Sequence, residues 1–530
     1  METTNLSKIK RDKMLKTINE IKKNVTDEET INNLSLIENE LTKKKYGLIW
    51  EEHEERVDKE LETQIPTFEE VEDKQISFKP NGKFNFLLDG DNLHSLYLLE
   101  KTHKGKIDLI IIDPPYNTGS KEFMYNDSYV DSEDGYKHSK WLSFMSKRLQ
   151  IAKNLLSDSG FIYINIDQNE YSQLKLLCDE IFGENNYVNE IIWQKLSASK
   201  AQTLYFSNLH EKILVYRKSD QAVMKKIYFE VDENDKNYPY IEEGTGRKYG
   251  SFDFTQSGQG TAKYFGELLL EPPKGKHWIW SQEKINEGMK KGTIIFTSKG
   301  LPRVKRYLDN KKGNPIGDLW VNNGVSNLSA NDKERVGFDT QKPISMIHRI
   351  LATMDNDITI LDFFAGSGTT GHGVLLQNII DNGNRSFILC TNNENNICEN
   401  VTYKRFLNLS KGNLKGGKID FNLKYYKTKF IPRCNTEEQN LNDNLMKNIC
   451  NLIQLENGIS IDNKKIQVYY NEDEFDKFTS NQELLNMCNK VYLSSDILIT
   501  SKQKKLLNDN NIEVYVIPEY YFKDEIMEVL

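Results

Sequence analysis

The chain has 530 residues, too many for one ordinary hydrophobic core, so its length predicts three or four domains. No apolar run approaches the roughly 18 residues of a membrane span, and the first residues lack the apolar stretch of a signal peptide. Six cysteines without Cys-x-x-Cys spacing favour reduced thiols in a cytoplasmic protein over disulfides or a zinc site. The formal net charge of −8 excludes a uniformly basic protein.

Charge is distributed unevenly along the chain. Residues 272–312 carry eleven Lys/Arg against three Asp/Glu, whereas residues 434–530 carry nine Lys/Arg against seventeen Asp/Glu. A basic segment of this kind favours phosphate contact, although a solvated protein face has the same composition. We therefore expect any contact with a polyanion at 272–312 and another role for the acidic tail.

Residues 1–75 are rich in Lys and Glu, with apolar residues at helical spacing such as Leu15, Ile18 and Ile21. The pattern predicts two or three helices that form a packing or oligomerisation arm, with a boundary near Pro66. A strand and turn follow over 85–92, and then a helix over 93–102.

A short apolar run, Ile107–Ile112, predicts a fully buried parallel strand. Asp113 follows it, and Pro114 and Pro115 cannot continue a strand ladder. Ligands bind beyond the carboxyl ends of strands in open α/β sheets. A carboxylate and a backbone carbonyl can accept both hydrogens of an exocyclic amino group, and Tyr116 can stack on a flat base.

The next stretch continues the α/β alternation. We expect a mobile loop over 118–136, helices over 141–156 and 171–182, and strands over 161–167, 191–193 and 212–216. His210 has no His or Cys partner at metal-ligand spacing, so a structural role is favoured over metal binding.

Residues 220–338 interrupt this rhythm with interleaved Gly, Lys and aromatic residues, among them Trp278 and Trp320. Basic residues with interleaved aromatics are typical of nucleic-acid recognition. The candidate phosphate-binding residues are Lys274, Lys276, Lys299, Arg303, Lys305 and Arg306.

A glycine-rich turn lies between a predicted strand and helix at residues 359–370. Gly366 and Gly368 let the backbone approach a ligand, and the N-terminus of the following helix suits a negative group. The preceding segment Thr340–Pro343 opens a helix over 344–354. Glu394 follows the next strand, where an acid binds ribose hydroxyls in dinucleotide folds.

Asp-Pro-Pro-Tyr at 113–116 resembles the catalytic motif of amino-group DNA methyltransferases, and the turn at 359–370 resembles their S-adenosylmethionine loop. Asp in the first motif position resembles the N6-adenine enzymes, since N4-cytosine enzymes usually carry Ser there. The order of catalytic motif, recognition segment and cofactor loop resembles the β class. The resemblance implies an α/β, Rossmann-like S-adenosylmethionine-dependent methyltransferase fold that is circularly permuted, with an inserted target-recognition domain, a helical N-terminal arm and a small α/β C-terminal domain.

The resemblance also implies roles for the matching residues. Catalysis is implied for Asp113, Pro114, Pro115 and Tyr116, acting on a base extruded from the duplex. Contact with S-adenosyl-L-methionine is implied for Asp91, Lys342, Pro343, Asp362, Phe363, Phe364, Ala365, Gly366, Ser367, Gly368, Thr369, Thr370 and Glu394. A helix N-cap fits Asp91 equally well. No metal is expected.

The implied domains are the N-terminal arm at 1–75, the catalytic half at 76–219, the target-recognition domain at 220–338, the cofactor half at 339–424 and a docking or dimerisation domain at 425–530. The stretches 45–51, 112–119 and 275–308, with the tail, resemble the modification subunit of Type III restriction–modification systems. This implies double-stranded DNA, a second copy of the chain and a helicase–nuclease restriction subunit as partners. The chain lacks a Gly-x-x-x-x-Gly-Lys-Ser/Thr loop, so it is not itself the motor.

Other functions stay open. They are a solitary DNA amino-methyltransferase, for which N4-cytosine is also open as the target, a methyltransferase of protein glutamine and a non-catalytic DNA-recognition subunit. The glutamine enzymes carry Asn first and the cofactor loop before the motif, which disfavours that interpretation. Methylation of cytosine C5 requires a cysteine nucleophile, and the chain has no Pro-Cys dipeptide.

Overall fold

The structure is a computed structural model. It describes residues 6–42, 50–79, 82–119, 124–125, 128–129, 134–198, 205–321, 324–329, 331–433, 438–462, 464–518 and 521. Most of the predicted motif at 45–51 and of the predicted loop at 118–136 therefore lies outside the described residues.

The described helices are α1 (Leu6–Asn24), α2 (Glu28–Thr42), α3 (Arg56–Thr63), α4 (Asn92–His103), α5 (Lys137–Leu155), α6 (Tyr171–Phe182), α7 (Gln282–Lys290), α8 (Ile344–Leu351), α9 (Thr369–Asp381), α10 (Lys404–Lys411), α11 (Glu438–Asn457), α12 (Glu472–Thr479), α13 (Gln482–Met487) and α14 (Ser501–Asp509). A π-helical turn, Cys398–Tyr403, precedes α10.

The described strands are β1 (Gln64–Glu70), β2 (Asn85–Asp89), β3 (Ile107–Ile112), β4 (Met124–Tyr125), β5 (Ser128–Tyr129), β6 (Leu156–Ile166), β7 (Tyr187–Gln194), β8 (His210–Arg217), β9 (Tyr240–Ile241), β10 (Lys248–Asp253), β11 (Thr255–Ser257), β12 (Lys263–Phe265), β13 (Leu268–Leu270), β14 (Lys276–Trp278), β15 (Ile294–Phe296), β16 (Pro302–Tyr307), β17 (Leu319–Trp320), β18 (Thr359–Asp362), β19 (Ser386–Thr391), β20 (Leu423–Pro432), β21 (Ile466–Tyr469), β22 (Lys490–Leu493) and β23 (Glu513–Val516).

The chain divides into two compact units. The larger comprises Met1–Val223 and Asp318–Leu530, and the smaller comprises Met224–Gly317. The predicted recognition segment at 220–338 extends beyond the smaller unit, because β17 pairs with β7 in the larger unit. Trp193 also donates a hydrogen bond from Nε1 to the carbonyl of Val325 at 2.8 Å, which ties this part of the segment to the larger unit.

The larger unit is built on one mixed sheet whose described strands run β1-β20-β2-β19-β18-β3-β6-β8-β7-β17. Strands β20, β2, β19, β18, β3 and β6 are parallel, whereas β8 is antiparallel to both β6 and β7. Runs such as Ile107–Ile112 are apolar apart from Asp108 because helices cover both faces of such a sheet. The predicted α/β class is confirmed.

The two sequence motifs follow neighbouring strands. Strand β3 pairs in parallel with β18, with Leu109 opposite Ile360 and Ile110 opposite Leu361. From this pair the chain proceeds to β6 on one side and to β19 on the other, so the pair marks the point where the strand order reverses. Ligands of open α/β sheets bind in the crevice at such a point.

The N-terminal segment is more than a helical arm. Strand β1 pairs antiparallel with β20 at the edge of the main sheet, which the prediction for 1–75 did not include. Strand β20 itself pairs with β2, so the predicted boundary at 425 falls within a strand of the main sheet. The edge strands come from distant parts of the chain, and no local pattern signals their pairing.

The smaller unit contains a sheet of order β15-β16-β10-β9 and the ladders β11–β14 and β12–β13. Its core includes Phe254, Phe265, Trp278 and Val304. Trp278, predicted to lie among DNA-reading aromatics, is thus a core residue. Trp320 is 4% exposed and belongs to the larger unit.

The C-terminal segment forms a parallel sheet, β21-β22-β23, connected by α12, α13 and α14. This matches the predicted small α/β element. Helix α11 precedes it and places Leu452 and Ile453 in the main core. Within the described part of the chain, no helix combines the length and apolarity that a membrane crossing requires.

Candidate active site

A cavity of about 1010 Å³ opens where β3 and β18 end, and all of its lining belongs to the larger unit. It brings together most of the predicted site residues, namely Asp91, Asp113, Pro114, Pro115, Tyr116, Lys342, Asp362, Phe363, Phe364, Ala365, Gly366, Ser367, Thr369, Thr370 and Glu394. Pro343 and Gly368 are not part of this lining; they are the residues that precede α8 and α9. The two motifs, about 250 positions apart, therefore share one cleft.

The turn after β3 is fixed by hydrogen bonds to its backbone. Trp141 donates from Nε1 to the carbonyl of Pro115 at 2.7 Å, and Asn165 donates from Nδ2 to the carbonyl of Ile112 at 3.1 Å. These bonds orient Asp113, whose side chain is 26% exposed, into the cavity. The rigid turn supplies a carboxylate at a defined position.

Four charged side chains and one phenol form a closed network around Asp113. Lys342 Nζ lies 2.8 Å from Asp113 Oδ2, 2.9 Å from the Tyr116 hydroxyl and 3.3 Å from Glu211 Oε2. The Tyr116 hydroxyl donates to Asp113 Oδ1 at 2.7 Å and lies 3.1 Å from Glu211 Oε2. Lys195 Nζ binds Glu211 Oε1 at 2.6 Å. Two cations thus balance two carboxylates at the cavity wall.

The network fixes the protonation of its members. Burial and the carboxylates of Asp113 and Glu211 raise the pKa of Tyr116 well above its ordinary value, so the phenol stays neutral. Burial acts to lower the pKa of Lys342, but Asp113 and Glu211 raise it. Burial acts to raise the pKa of Glu211, but Lys342 and Lys195 lower it. Lys342 is therefore an ammonium and Glu211 a carboxylate at neutral pH.

The glycine-rich turn after β18 needs backbone conformations that favour glycine. Gly366 has φ +45° and Gly368 has φ +74°. A Cβ on Gly368 would lie 3.1 Å from Thr402 Cγ2 and 3.2 Å from the ring of Phe406. Helix α9 begins at Thr369 without a side-chain cap, so its first N–H groups are available at the cavity wall.

Asp362 holds this turn together. Its Oδ1 accepts a hydrogen bond from the Phe364 amide at 3.0 Å, and its Oδ2 accepts one from the Thr370 hydroxyl at 2.6 Å. Burial raises the pKa of Asp362 to about 7, although both hydrogen bonds act in the opposite direction. The acid predicted to touch the cofactor thus also shapes the turn.

Asp91 and Glu394 line the same cavity. Asp91 accepts a hydrogen bond from the amide of Leu93 at 2.8 Å, so it is the N-cap of α4. Buried Arg148 also lies 3.3 Å from Asp91 Oδ1 and 3.0 Å from both carboxylate oxygens of Glu55. The two roles considered for Asp91, helix cap and cavity residue, coexist in the structure.

Glu211, Lys195 and Glu55 line the cavity but were not among the predicted site residues. Glu211 follows the exposed His210 at the start of β8. Because β8 runs antiparallel to β6, its first residues lie at the edge where the parallel strands end. The one available signal was an acid at the start of an apolar strand, which is weak. Sequence spacing does not give the strand direction.

The candidate phosphate-binding residues lie on the smaller unit in two kinds of environment. Lys305 binds Glu242 at 2.7 Å, Lys276 binds Asp253 at 3.2 Å, and Arg303 donates to the carbonyl of Ser251 at 2.8 Å. Three others, which are exposed, are Lys274, Lys299 and Arg306. Their role in DNA binding stays a prediction.

Known proteins resemble this chain over the region that contains both motifs. A family model described as DNA methylase matches residues 107–402. The Type III restriction-modification enzyme StyLTI Mod subunit of Salmonella typhimurium is 33% identical over 58% of this chain and 52% of its own length. The Type II methyltransferase M.KpnI of Klebsiella pneumoniae is 34% identical over 59% of this chain and 82% of its own length.

A third relative is the EcoPI Mod subunit of Escherichia phage P1, which is 30% identical over 58% of each chain. This chain thus spans little more than half the length of the two Type III relatives. The resemblance inferred from the two motifs is confirmed by the family match and by these relatives. The chain belongs to the DNA methylase family.

Proposed function

We propose that this protein is a site-specific DNA methyltransferase that transfers a methyl group from S-adenosylmethionine to N6 of adenine in a short DNA sequence. The observation that carries the proposal is the meeting of Asp113 and the glycine-rich turn in one cavity of about 1010 Å³. A carboxylate that accepts from an amino group and a backbone cradle for a second ligand are the two elements that direct transfer requires.

The cavity fits S-adenosylmethionine on observations of this structure. The uncapped start of α9 suits the carboxylate of an amino acid, and the turn at Gly366 lets a ligand approach the backbone. Glu394 offers a carboxylate to ribose hydroxyls, and Ile347 and Phe363 supply apolar wall. When bound, S-adenosylmethionine supplies a methyl group on a sulfonium, which is electrophilic without further activation.

The residues at the end of β3 act on the amine. An adenine amino group is a weak nucleophile because its lone pair is delocalised into the ring. Hydrogen bonds to the Asp113 carboxylate and the Pro114 carbonyl favour a tetrahedral nitrogen, and Asp113 stabilises the positive charge that develops there. The base reaches them only after leaving the duplex, which costs roughly a few kcal/mol and is offset in part by stacking.

The proposal extends to partners. Relatives at 30–33% identity are named Mod subunits of Type III restriction-modification enzymes, which supports a modification subunit acting on double-stranded DNA. The other partners that we propose are a second copy of the chain and a helicase–nuclease restriction subunit. Sedimentation velocity of the pure protein tests the dimer, and co-purification from the host tests the restriction subunit.

The direct test is methyl transfer from labelled S-adenosylmethionine to duplex DNA. We expect N6-methyladenine in the digested product, and sequencing of modified positions in DNA from an expressing host gives the site. Label recovered as N4-methylcytosine would show that the target base is cytosine and not adenine. Label in protein alone, or DNA binding without transfer, would overturn the proposal in favour of a protein methyltransferase or a non-catalytic DNA-recognition subunit.

A further inference from the structure

Lys342 occupies one of the two oxygens of the carboxylate that the target amino group needs, and the Tyr116 hydroxyl donates to the other. Its ammonium has three N–H donors, and three acceptors surround it: Asp113 Oδ2 at 2.8 Å, the Tyr116 hydroxyl at 2.9 Å and Glu211 Oε2 at 3.3 Å. Under the proposed function, an amino group that binds Asp113 competes with Lys342 for one carboxylate.

Lys342 cannot leave the site at low cost. Its side chain is 11% exposed, and a buried ammonium without partners is strongly disfavoured. Its backbone is also fixed, because Gln341 donates from Nε2 to the carbonyl of Glu334 at 2.8 Å and Glu334 Oε1 accepts from the Ile344 amide at 3.1 Å. Only the end of the side chain is free to exchange acceptors.

Glu211 is the acceptor placed for this exchange. Its side chain is 5% exposed, and Oε2 faces both Lys342 and Tyr116. Oε1 is held by Lys195 at 2.6 Å, which stops the carboxylate from turning away. The contact from Lys342 to Glu211 is the longest of the three, so there is room for it to shorten when the contact to Asp113 is given up.

We propose that Glu211 is a positioning residue that takes over Lys342 when the target amino group binds Asp113. The exchange leaves the two cations and two carboxylates of the site in balance, because the arriving amine is neutral. It makes one oxygen of Asp113 available to the base while the buried ammonium of Lys342 keeps a carboxylate partner. This inference rests on the proposed function and assigns the two side chains that regulate access to its catalytic carboxylate.

The test is a double-mutant cycle on kcat/KM for DNA. Glu211→Gln keeps the shape of the side chain but removes its charge, so Lys342 stays on Asp113. We expect kcat/KM for DNA to fall roughly 10- to 100-fold, the range of one charge-assisted hydrogen bond, with the KM of the methyl donor within roughly 2-fold of wild type. Adding Lys342→Met removes the competitor, and we expect the double variant to recover at least several-fold over Glu211→Gln.

A matched control removes the other cation of the same carboxylate. Lys195 binds Glu211 through Oε1 and makes no described contact with Asp113. We expect Lys195→Met combined with Glu211→Gln to show no recovery. Recovery in this control as strong as in the Lys342 double variant would mean that only net charge matters, and it would overturn the exchange.

A binding measurement separates exchange from stabilisation of the charged transition state. Duplexes carrying adenine, or purine without its amino group, opposite an abasic site have no base pair at the target position, so the two target bases differ only in the group that competes with Lys342. In wild type we expect tighter binding of the adenine duplex, in Glu211→Gln near-equal binding of the two, and in the Lys342→Met double variant a restored preference. An unchanged preference in Glu211→Gln would overturn the proposal.

The outcomes also separate this inference from the proposed function. If wild type transfers no label to DNA, the proposed function fails. If wild type is active and Glu211→Gln loses activity that Lys342→Met does not restore, Glu211 has a structural role and the exchange is wrong. Equal thermal melting of wild type and variants checks that each variant is folded.

Discussion

Charged side chains are arranged in opposite ways at the cavity of the larger unit and on the smaller unit. At the cavity, Lys342 and Glu211 are 11% and 5% exposed and share their partners in one network. On the smaller unit, the ion pair of Arg247 and Asp309 is 37% and 55% exposed, and the ion pair of Lys291 and Glu287 is 65% and 60% exposed. Because the charges at the cavity are buried, they hold neighbouring atoms in defined positions, whereas solvent screens the exposed charges on the smaller unit.

The same residue types therefore have different roles in the two units. Charges in the cavity are compensated, so each can hold a partner within hydrogen-bond distance of a reacting group. Exposed charges on the smaller unit contribute little to folding and are suited to a salt-dependent attraction for phosphates. Variants at matched positions test this contrast.

The largest effect is expected at the catalytic carboxylate. Asp113→Ala should lower kcat by roughly 1000-fold or more, because it removes the acceptor that aligns the amine and offsets its charge. Binding of S-adenosylmethionine, measured by calorimetry, should persist. The matched control is Asp108→Asn at the other end of β3, where the acid accepts from Ser157 Oγ at 3.0 Å and from the Thr359 amide at 2.9 Å. Equal loss of kcat in both variants would contradict the assignment.

The next effect is expected at the glycine-rich turn. Gly368→Val should raise the KM of the methyl donor roughly 100-fold, because the left-handed backbone and the nearby Thr402 and Phe406 leave no room for the side chain. Gly417 has the same φ of +74°, but a Cβ there would meet no described atom within 4 Å. Gly417→Val therefore reports backbone strain alone, and we expect it to leave the KM of the donor unchanged.

A pH-dependent effect is expected at Asp362. Its pKa of about 7 in the folded protein lies above the ordinary value of 3.8. The stability that the folded state gains from the protonated acid is therefore fully present below about pH 4, and it is lost as pH rises through 7. Relative to wild type, the free energy of unfolding of Asp362→Asn should rise by about 3 kcal/mol between pH 5 and pH 8, as measured by chemical denaturation. Thr370→Val keeps the acid and removes a hydrogen bond that lowers its pKa, so the pH dependence should be at least as steep as in wild type. A gain like that of Asp362→Asn in this variant would exclude Asp362 as its source.

The smallest effect is expected on the smaller unit. Arg306 is exposed, whereas Lys305 is paired with Glu242 and its side chain is 11% exposed. Arg306→Gln should reduce the slope of log affinity for DNA against log salt by about 0.9, the value for one phosphate contact, and Lys305→Gln should change the slope less. Replacing Arg303 by Gln as well should reduce this slope further. An unchanged slope in all three variants would exclude β16 from the DNA contact.

Much of the candidate site was predictable because its signals are local. The apolar run before Asp113 predicts a buried strand, Pro114 and Pro115 predict its end, and the turn around Gly366 predicts a backbone cradle. Each signal depends on bonded geometry or on the side chains of a few neighbouring residues. The edge strands β1 and β20 escaped prediction because their pairing depends on partners more than 350 positions apart.

The strand ends, the left-handed glycines and the residue types that face a ligand could be predicted from the amino-acid sequence, because they follow from local stereochemistry and hydrophobicity. The contact of Lys342 with Asp113 and the contact of Glu211 with Lys342 depend instead on the folded arrangement of the chain. Both contacts arise from the direction and neighbours of strands in the sheet: β18 pairs with β3, and antiparallel β8 begins where the parallel strands end. Strand direction depends on the whole chain path, which no short stretch of sequence encodes.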